Sequence, residues 1–455
     1  MELFSQYRTL VKEARFPALF ERSGAQLMAT LFQLEQSQWW PPEKLQLAQA
    51  RQLQALLDHA REHVPFYRQR FDGIPRFESP EALLEQWSEL PLLTRDDIHA
   101  AGPGLATTEP LPLHGRQHQI KTSGSTGRPL QALSNELVTH FFRSIACRDI
   151  LWHRRDFHKK LCVIRPDRKK SQEATERETW GRPLSLIYET GPTAGLHSSA
   201  PSTQQLDWLL EQQPAYLLSM PSNFQGLAEE MQRRNVRLEQ LEQLISFAET
   251  LSPQRRQYLE QYFGAPIKDM FSSVEAGYIA LQCPDNTHMH VQSEAILVEV
   301  LDDSDQPCKP GEIGRLVLTP LHNFSTPLIR YENGDYVELG DACSCGRGLP
   351  VIKQVMGRER NLLTLPDGSR SWPYLAIGEW SRFGPIIQAQ VVQKSTTWLE
   401  VRLGAERKLV EEEEKALSNY LSKQLTWEFE HRFSYHEALH RGRNRKFEDF
   451  ISELV

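Results

Sequence analysis

Cysteine, long apolar segments and excess positive charge are all scarce in this sequence of 455 residues. Six cysteines in so long a chain do not make a disulfide framework, which favours a reducing compartment and predicts a cytoplasmic protein. The sequence contains no run of about 18 apolar residues, the length needed to cross a membrane. Its start, MELFSQYRTLVKEARF, lacks the apolar core of a signal peptide. The net charge of −7 gives no reason to expect binding to nucleic acid or to an anionic membrane surface.

The rest of the composition is that of a globular protein, with 40% hydrophobic and 24% charged residues. A chain of this length usually exceeds what one core can serve, so at least two domains are expected. Residues 1–100 have mostly helical periodicity, and from about 117 to 300 apolar strands alternate with helical stretches. The predicted fold is α/β: a large N-terminal domain, 1–357, with a helical first part, α/β layers and a β-rich subdomain, and a small C-terminal α+β domain, 358–455.

The stretch KTSGSTGRPL, residues 121–130, is a polar loop between a short predicted strand, RQHQI, and a long predicted helix, LQALSNELVTHFFRSIACRDILW. Gly124 and Gly127 allow backbone N–H groups to turn inward, as in a phosphate cradle. The loop also carries three hydroxyl donors: Ser123, Ser125 and Thr126. Because no G-K-[ST] sequence ends it, it is not a Walker loop, and on composition alone an ordinary linker remains the alternative.

Three more stretches each hold one charged residue of interest. FSSVEAGY (271–278) carries Glu275, RYENGDY (330–336) carries Asp335, and RNRKFEDF (443–450) carries Lys446. In this order and spacing, together with the loop, they resemble the adenylate-forming superfamily of acyl-CoA synthetases and adenylation domains. LLDHAREHVPFYRQRF, LPLLTRDDI and CSCGRGLPVIKQVMGRERNLL are similar to the branch of phenylacetate–CoA ligases, with its capsule-cluster and deazaflavin-coenzyme relatives.

The resemblance implies a large adenylate-forming domain and a small mobile C-terminal domain, divided near Gly357. It implies that a carboxylate attacks the α-phosphate of ATP, and that CoA or the phosphopantetheine arm of a carrier protein then takes the acyl group. Amide formation or adenylyl transfer from the same chemistry, and a non-catalytic nucleotide-binding protein, are the alternatives. Which acid and which acceptor are used, and whether the chain forms a homodimer, stay open.

The resemblance also implies roles for individual residues. Thr122 to Gly127 would cover the β- and γ-phosphates, Glu275 would hold Mg²⁺, and Asp335 would bind the ribose hydroxyls. Phe271 would stack on adenine, and Lys446 would bridge the carboxylate and the α-phosphate. Three further residues are nucleotide-side candidates: Glu249, Ser272 and Arg358.

Two departures from the family pattern accompany these assignments. Val274 stands where a hydroxyl residue usually precedes the metal-binding glutamate, so Ser272 or Ser273 is expected to supply the phosphate donor. Arg360 stands at the hinge position, which is usually acidic.

The acid pocket is expected beside the nucleotide, and its mostly aromatic candidates favour an aryl acid. Core packing is the alternative for each of these candidates: Tyr216, Met220, Phe224, Phe247 and Tyr278.

The cysteines and histidines suggest a metal site. Cys343 and Cys345 form a C-x-C pair in a Gly-rich turn, and Cys283 precedes His288 and His290. A Cys₃His set of Cys283, His290, Cys343 and Cys345 would hold a structural Zn²⁺. His290 is favoured over His288 because members of the family carry a histidine before the apolar residue that opens the next strand. Ordinary reduced side chains are the alternative.

Overall fold

The structure is a computed structural model that describes residues 7–14, 16–122, 129–166, 173–373, 375, 380, 382–436, 439 and 448–454. No helix within these ranges is both long enough and apolar enough to cross a membrane. The α-helices of the described chain are α1 (Arg22–Ser37), α2 (Pro42–His63), α3 (Pro65–Arg70), α4 (Pro80–Gln86), α5 (Arg95–Ala101), α6 (Glu136–Trp152), α7 (Ser202–Gln212), α8 (Pro221–Arg234), α9 (Pro253–Phe263) and α10 (Glu411–Leu425).

Within the described ranges, the strands form one large sheet, one small sheet and two short hairpins. In chain order they are β1 (His118–Lys121), β2 (Gln131–Ser134), β3 (Leu161–Arg165), β4 (Thr175–Arg177), β5 (Thr193–His197), β6 (Tyr216–Ser219), β7 (Gln243–Phe247), β8 (Ile267–Ser273), β9 (Gly277–Gln282), β10 (Met289–Val291), β11 (Ile296–Leu301), β12 (Ile313–Pro320), β13 (Tyr331–Leu339), β14 (Val351–Arg358), β15 (Leu363–Thr364), β16 (Arg370–Ser371), β17 (Ile386–Gln393), β18 (Trp398–Ala405), β19 (Glu430–His436) and β20 (Phe450–Ser452).

The large sheet has the order β11-β12-β13-β14-β10-β9-β8-β7-β6-β3-β5-β4. Its strands β8, β7, β6, β3 and β5 are parallel, and α7, α8 and α9 connect them. These helices bury Leu206, Phe224 and Leu259 against the sheet, as the predicted α/β layering requires. The carboxyl ends of β7 and β8 therefore lie at one edge of the sheet, which is where open α/β sheets place their ligands.

The first hundred residues are mainly helical, as predicted. The longest helix of this part, α2, starts with Pro42 in its first turn and ends before Pro65, because proline disfavours a helical residue before it. Its buried side chains Leu53, Leu56 and Leu57 pack in one cluster with residues that lead into β13, including Tyr331. The helical part is thus fixed to the β-rich edge of the large sheet.

The helix predicted after the polar loop starts later than the sequence suggested. Residues 131–134 form β2, which pairs with β1 from His118 to Lys121, and α6 begins only after Asn135. The Asn135 side chain caps α6 by accepting a hydrogen bond from the Val138 N–H at 3.0 Å. Pairing with β1 therefore overrides the helical pattern of LQALS, and the resulting hairpin holds the two ends of the loop together.

The small C-terminal unit has its own sheet, ordered β19-β18-β17-β20, with α10 packed on it. Trp380, Leu399 and Leu417 are completely buried in a core that contains only residues from 363 to 450. The predicted boundary at Gly357 falls in the last strand of the large sheet, β14, which still pairs with β13 at Arg358. A large α/β domain followed by a small α+β domain agrees with the predicted fold class.

Candidate active site

A cleft of about 1030 Å³ lies between the two domains. The large domain contributes the ends of β7 and β8, one face of α6 and part of β13, and the small domain contributes Trp372 and Asp449. Thr122, Glu275 and Asp335 all line this cleft. The neck of the predicted phosphate loop, the predicted magnesium ligand and the predicted ribose ligand are therefore brought together, although they are far apart in sequence.

Thr122 closes the neck of the loop. Its N–H donates to the Leu130 carbonyl at 3.0 Å, and its hydroxyl accepts from the Leu130 N–H at 2.9 Å. Five of the predicted phosphate ligands lie outside the described residues: Ser123, Gly124, Ser125, Thr126 and Gly127. Thr122 itself, the described neck, lines the cleft.

Glu275 lies in the turn between β8 and β9 and is only 8% exposed. Burial raises the pKa of its carboxyl group, and nearby Asp335 raises it further, whereas Arg358 and Arg95 oppose the shift. Its side chain accepts no hydrogen bond from another residue in the described ranges. A buried carboxylate that accepts from its own backbone N–H but from no other described residue, beside a second carboxylate, suits a hard divalent cation such as Mg²⁺, which is satisfied by oxygen ligands.

Asp335 is held from both sides on β13. Arg358 Nε donates to its Oδ1 at 3.1 Å, and Asn333 Nδ2 donates to its Oδ2 at 2.7 Å. Each carboxylate oxygen keeps a further lone pair, so the oriented carboxylate can still accept hydrogen bonds from a ligand such as a ribose diol. Arg358 thereby joins the site as a residue that orients Asp335.

Arg95 was missed by the sequence reasoning. Residues 93–94 precede α5, and Leu93 forms a bridge with Tyr331 at the start of β13, which places Arg95 in the cleft. Its charge opposes the raised pKa of Glu275. A signal existed in the sequence: an arginine in the first turn of a helix is unfavourable next to the positive end of the helix dipole.

Phe271, Ser272 and Glu249 line the cleft as well. Ser272 makes no side-chain hydrogen bond within the described chain, whereas the Ser273 hydroxyl already accepts from the Ala276 N–H at 3.1 Å. Ser272 is thus the better replacement for the hydroxyl missing at Val274. The Glu249 carboxylate accepts from the N–H and the hydroxyl of Ser222 at 2.9 and 3.0 Å, so it also supports the start of α8.

Lys446 lies outside the described residues. Glu448 and Asp449, which follow it, line the cleft. Asp449 forms an ion pair with Arg255 of the large domain, and Glu448 accepts from Arg360 at 2.6 Å. The arginine at the hinge position is therefore paired with a carboxylate of the small domain.

The wall of the cleft formed by α6 is apolar and aromatic. Val138 and Phe142 line the cleft together with Met270 and Phe247. Tyr278 supports Phe142 from behind, with ring centroids 4.6 Å apart and planes tilted by 21°. Of the other residues predicted to line the acid pocket, Met220 and Phe224 are buried, and the Tyr216 hydroxyl is bonded to Asp156 N–H and Glu242 instead.

A compact group of sulfur and nitrogen ligands lies at the far side of β9 and β10. One ligand atom each from Cys283, His288, His290 and Cys343 lies within 4.8 Å of all the others. Cys345 adjoins this group, with its Sγ 3.4 Å from His290 Nε2. Burial lowers the pKa of His290 to about 4, so its ring is neutral at pH 7, as a metal ligand must be. The donors fit a tetrahedral Zn²⁺, whose ligand atoms lie about 2.0–2.3 Å from the ion.

The turn after Cys345 reaches two helices. The Arg347 guanidinium lies between the rings of Trp39 and Trp152, 4.7 Å from each ring centroid. Its Nε donates to Gln38 Oε1 at 2.8 Å, and the N–H of Gly348 donates to the Gln38 carbonyl at 2.9 Å. This turn therefore connects the end of α6 with the corner between α1 and α2.

No protein-family model matches the chain. A phenylacetate-coenzyme A ligase of Thermus thermophilus is 26% identical over 334 residues, which cover 71% of this chain and 73% of that protein. Protein CapK of Staphylococcus aureus is 22% identical over 61% of this chain and 60% of its own length.

Among solved structures, a 2-hydroxyisobutyryl-CoA ligase in its postadenylation state superposes with a TM-score of 0.72 at 20% identity, over 92% of both chains. The same ligase in its thioesterification state, at 21% identity, gives 0.60 over 92% of this chain and 91% of that chain. The chain is therefore similar in sequence to phenylacetate–coenzyme A ligases and to CapK, and similar in fold to 2-hydroxyisobutyryl-CoA ligase.

Proposed function

We propose that this chain is an AMP-forming acid–thiol ligase that activates a carboxylic acid with ATP and passes the acyl group to the thiol of CoA. The observation that supports this function best is the shared cleft of Thr122, Glu275 and Asp335 between a large and a small domain. A nucleotide needs three kinds of partner here: donors for phosphates, a metal-binding carboxylate and an acceptor for the ribose.

In the first half-reaction, a carboxylate oxygen of the acid attacks the α-phosphorus of ATP, and pyrophosphate leaves. In the second, the thiol attacks the acyl carbon and AMP leaves. A Mg²⁺ bound at Glu275 would neutralise phosphate charge while the α-phosphorus is attacked. The chain itself has to position the reactants and exclude water, because such transfers depend mainly on orientation and charge.

The nucleotide end of the cleft is organised by Asp335. With Arg358 and Asn333 fixing its two oxygens, Asp335 would accept from the ribose hydroxyls. Phe271 is half-buried on β8 in the same cleft and would stack on the adenine. Arg95 lies beside Glu275 and would contact a phosphate or the acid carboxylate.

Lys446 would approach the α-phosphate and the acid carboxylate from the small domain. Supporting this role, residues 448 and 449 line the cleft, and the structure superposes better on a ligase in the postadenylation state than on the same ligase in the thioesterification state. The small domain would then move to admit the thiol. That movement would separate Asp449 from Arg255.

The acid is proposed to be aromatic or similarly flat. Phe142 is 43% exposed, and Tyr278 stacks behind it, so the ring presents a flat apolar wall to the cleft. Gly277 lies against the same ring: a Cβ there would be 3.7 Å from the Phe142 ring, and its φ of +74° disfavours any side chain. A planar acid would stack on the exposed part of this wall.

A structural Zn²⁺ is proposed for the Cys–His group. The close approach of its donors supports the metal, and His288 competes with Cys345 as the fourth ligand, since both adjoin Cys343 or His290. Because four protein donors would leave no open position, the metal would stabilise the fold rather than act on the substrate.

The test measures both half-reactions. ATP–pyrophosphate exchange with a panel of aryl and aliphatic acids is expected to depend on the acid, and CoA is expected to be converted to a thioester. Glu275→Gln should lower exchange about 100-fold or more, whereas Glu411→Gln on the exposed start of α10 should not. Exchange without any acid would instead indicate adenylyl transfer, and an amine that replaces CoA would indicate amide formation. No exchange with any acid, in protein that still binds ATP, would indicate a non-catalytic nucleotide-binding protein.

A further inference from the structure

A second pocket of about 410 Å³ adjoins the cleft. It lies between the first turns of α1, the first turns of α6 and the segment 182–186. The polar residues that matter for its chemistry are Ser23, Thr139, His140, Arg143 and Arg182. The pocket is separate from the Thr122, Glu275 and Asp335 site, but Thr139 lines both spaces.

Two cations of this pocket, Arg143 and Arg182, have no partner among the described residues. Within the described ranges, Arg143 and Arg182 form no ion pair and no side-chain hydrogen bond. Most arginines near the cleft are paired, as Arg255 is with Asp449 and Arg358 with Asp335. Two unpaired guanidinium groups in one small cavity provide a fork of donors that suits a phosphate.

The remaining lining is compatible with an anion. Burial and the neighbouring Arg143 lower the pKa of His140, whose ring is hydrogen-bonded to the Thr30 hydroxyl at 2.8 Å. The one acidic residue of the lining, Glu136, packs its side chain against Gly115, so it is directed to one side of the pocket. The Ser23 hydroxyl makes no hydrogen bond within the described chain and can donate to a ligand.

The position of the pocket beside the cleft limits which ligands could carry the bound anion. Val138 and Phe142, which line the acid end of the cleft, are neighbours of Thr139 and Arg143 on α6. A ligand held by a phosphate in the pocket could therefore extend a flexible chain past Thr139 to the acyl carbon. A cavity of this size holds a small phosphorylated group rather than a whole dinucleotide-sized cofactor.

We propose that the pocket binds a phosphate of the acceptor thiol through Arg143 and Arg182, so that the pantetheine chain enters the cleft beside Thr139. This inference rests on the proposed function, because it assumes a thiol acceptor. It adds the site that would discriminate phosphorylated acceptors from plain thiols.

The experiment compares acceptors in the second half-reaction. For Arg143→Ala and Arg182→Ala, the KM for CoA should rise about 10-fold each, the usual effect of losing one charge-assisted contact. With unphosphorylated pantetheine, the two variants and the wild type should have the same KM. ATP–pyrophosphate exchange, which needs no thiol, should be unchanged in both variants.

The control is Arg22→Ala, since Arg22 is exposed at the start of α1, next to Ser23, but does not line the pocket. Arg143→Lys should recover part of the CoA affinity. Dephospho-CoA and 4′-phosphopantetheine identify which phosphate is bound. A rise in KM that both compounds also show indicates the phosphate next to pantetheine, and a rise seen with CoA alone indicates its 3′-phosphate.

Two outcomes would overturn the inference while leaving the ligase function intact. The KM for CoA could stay unchanged in both variants, or it could rise equally for CoA and pantetheine, which would mean that the arginines act by shaping α6. Failure of the wild type to exchange pyrophosphate with any acid would instead refute the proposed function itself, so the two failures are distinguishable.

Discussion

The ion pair between Asp449 and Arg255 predicts the relative rates of the two half-reactions. Asp449 belongs to the small domain and Arg255 to the first turn of α9 in the large domain. The two side chains are only 23% and 14% exposed, so the pair is largely shielded from water. Asp449→Asn keeps the shape of the side chain and removes the charge that holds the small domain in the present arrangement.

The expected size of the effect of Asp449→Asn follows from the burial of this ion pair. A hydrogen bond to a charged group contributes about 1.5–3 kcal/mol, and each 1.4 kcal/mol is a factor of about ten in an equilibrium. Asp449→Asn should therefore shift the domain equilibrium away from the present arrangement by about 10- to 100-fold. Adenylation, measured by ATP–pyrophosphate exchange, should slow. Thioester formation from supplied acyl-adenylate should be at least as fast as in the wild type.

The control variant is Glu453→Gln, which removes a carboxylate bonded to Lys394 at 2.7 Å within the small domain. It should leave the ratio of the two half-reactions unchanged. The reasoning is refuted if Asp449→Asn, in a protein with wild-type thermal stability, has the same ratio as the wild type. A variant slowed equally in both half-reactions would also refute it, because that result indicates general damage to the cleft.

Further predictions concern the lysine, a buried carboxyl group, the metal group and the acid pocket. Lys446→Ala should slow pyrophosphate exchange about 100- to 1000-fold and leave thioester formation from supplied acyl-adenylate nearly intact; an unchanged exchange rate would exclude Lys446 as the catalytic lysine. Burial raises the pKa of Asp269 to about 7, so its contribution to stability is complete below about pH 4 and is lost as the pH rises through about 7; Asp269→Asn should flatten the fall of the thermal midpoint between about pH 4 and 7, and an unchanged slope contradicts this. Protein purified without added zinc should contain about one equivalent, and Cys283→Ser should lose both the metal and several degrees of thermal midpoint; less than half an equivalent in the wild type counts against the site. Phe142→Ala should raise the KM for aryl acids more than for short aliphatic acids, and equal increases would place the acid elsewhere.

Residues with a local motif could be predicted from the sequence. Glu275 stands in the turn after β8, and Asp335 follows Gly334 within β13; the resemblance of these stretches to a known family implied one shared site, and both residues line one cleft. The polar stretch that begins at Thr122 was likewise predicted as a phosphate loop, and Thr122 lines the same cleft. These predictions depend on residues that are close in sequence, where turn chemistry alone decides the conformation.

Residues that depend on long-range contacts could not be predicted. Arg95 reaches Glu275 only because Leu93 pairs with β13, and Arg255 meets Asp449 only because two domains meet. The same reason explains the strand β2, since its partner β1 decides its conformation. Met220 and Phe224, two candidates for the acid pocket, are buried in the core, because an apolar residue at the start of a helix does not reveal which side faces the core.

Arg347, held between Trp39 and Trp152, has a mechanical consequence for substrate recognition. Trp152 is the last residue of α6, and Phe142 lies ten positions earlier, about 15 Å along the same rigid rod. If the cysteine-containing turn became looser, α6 would tilt. This tilt would displace both the apolar wall of the cleft and the arginine-lined pocket. Substitutions in this turn, which does not line the cleft, could in this way alter which acids, and which thiols, an evolutionary descendant of this protein accepts.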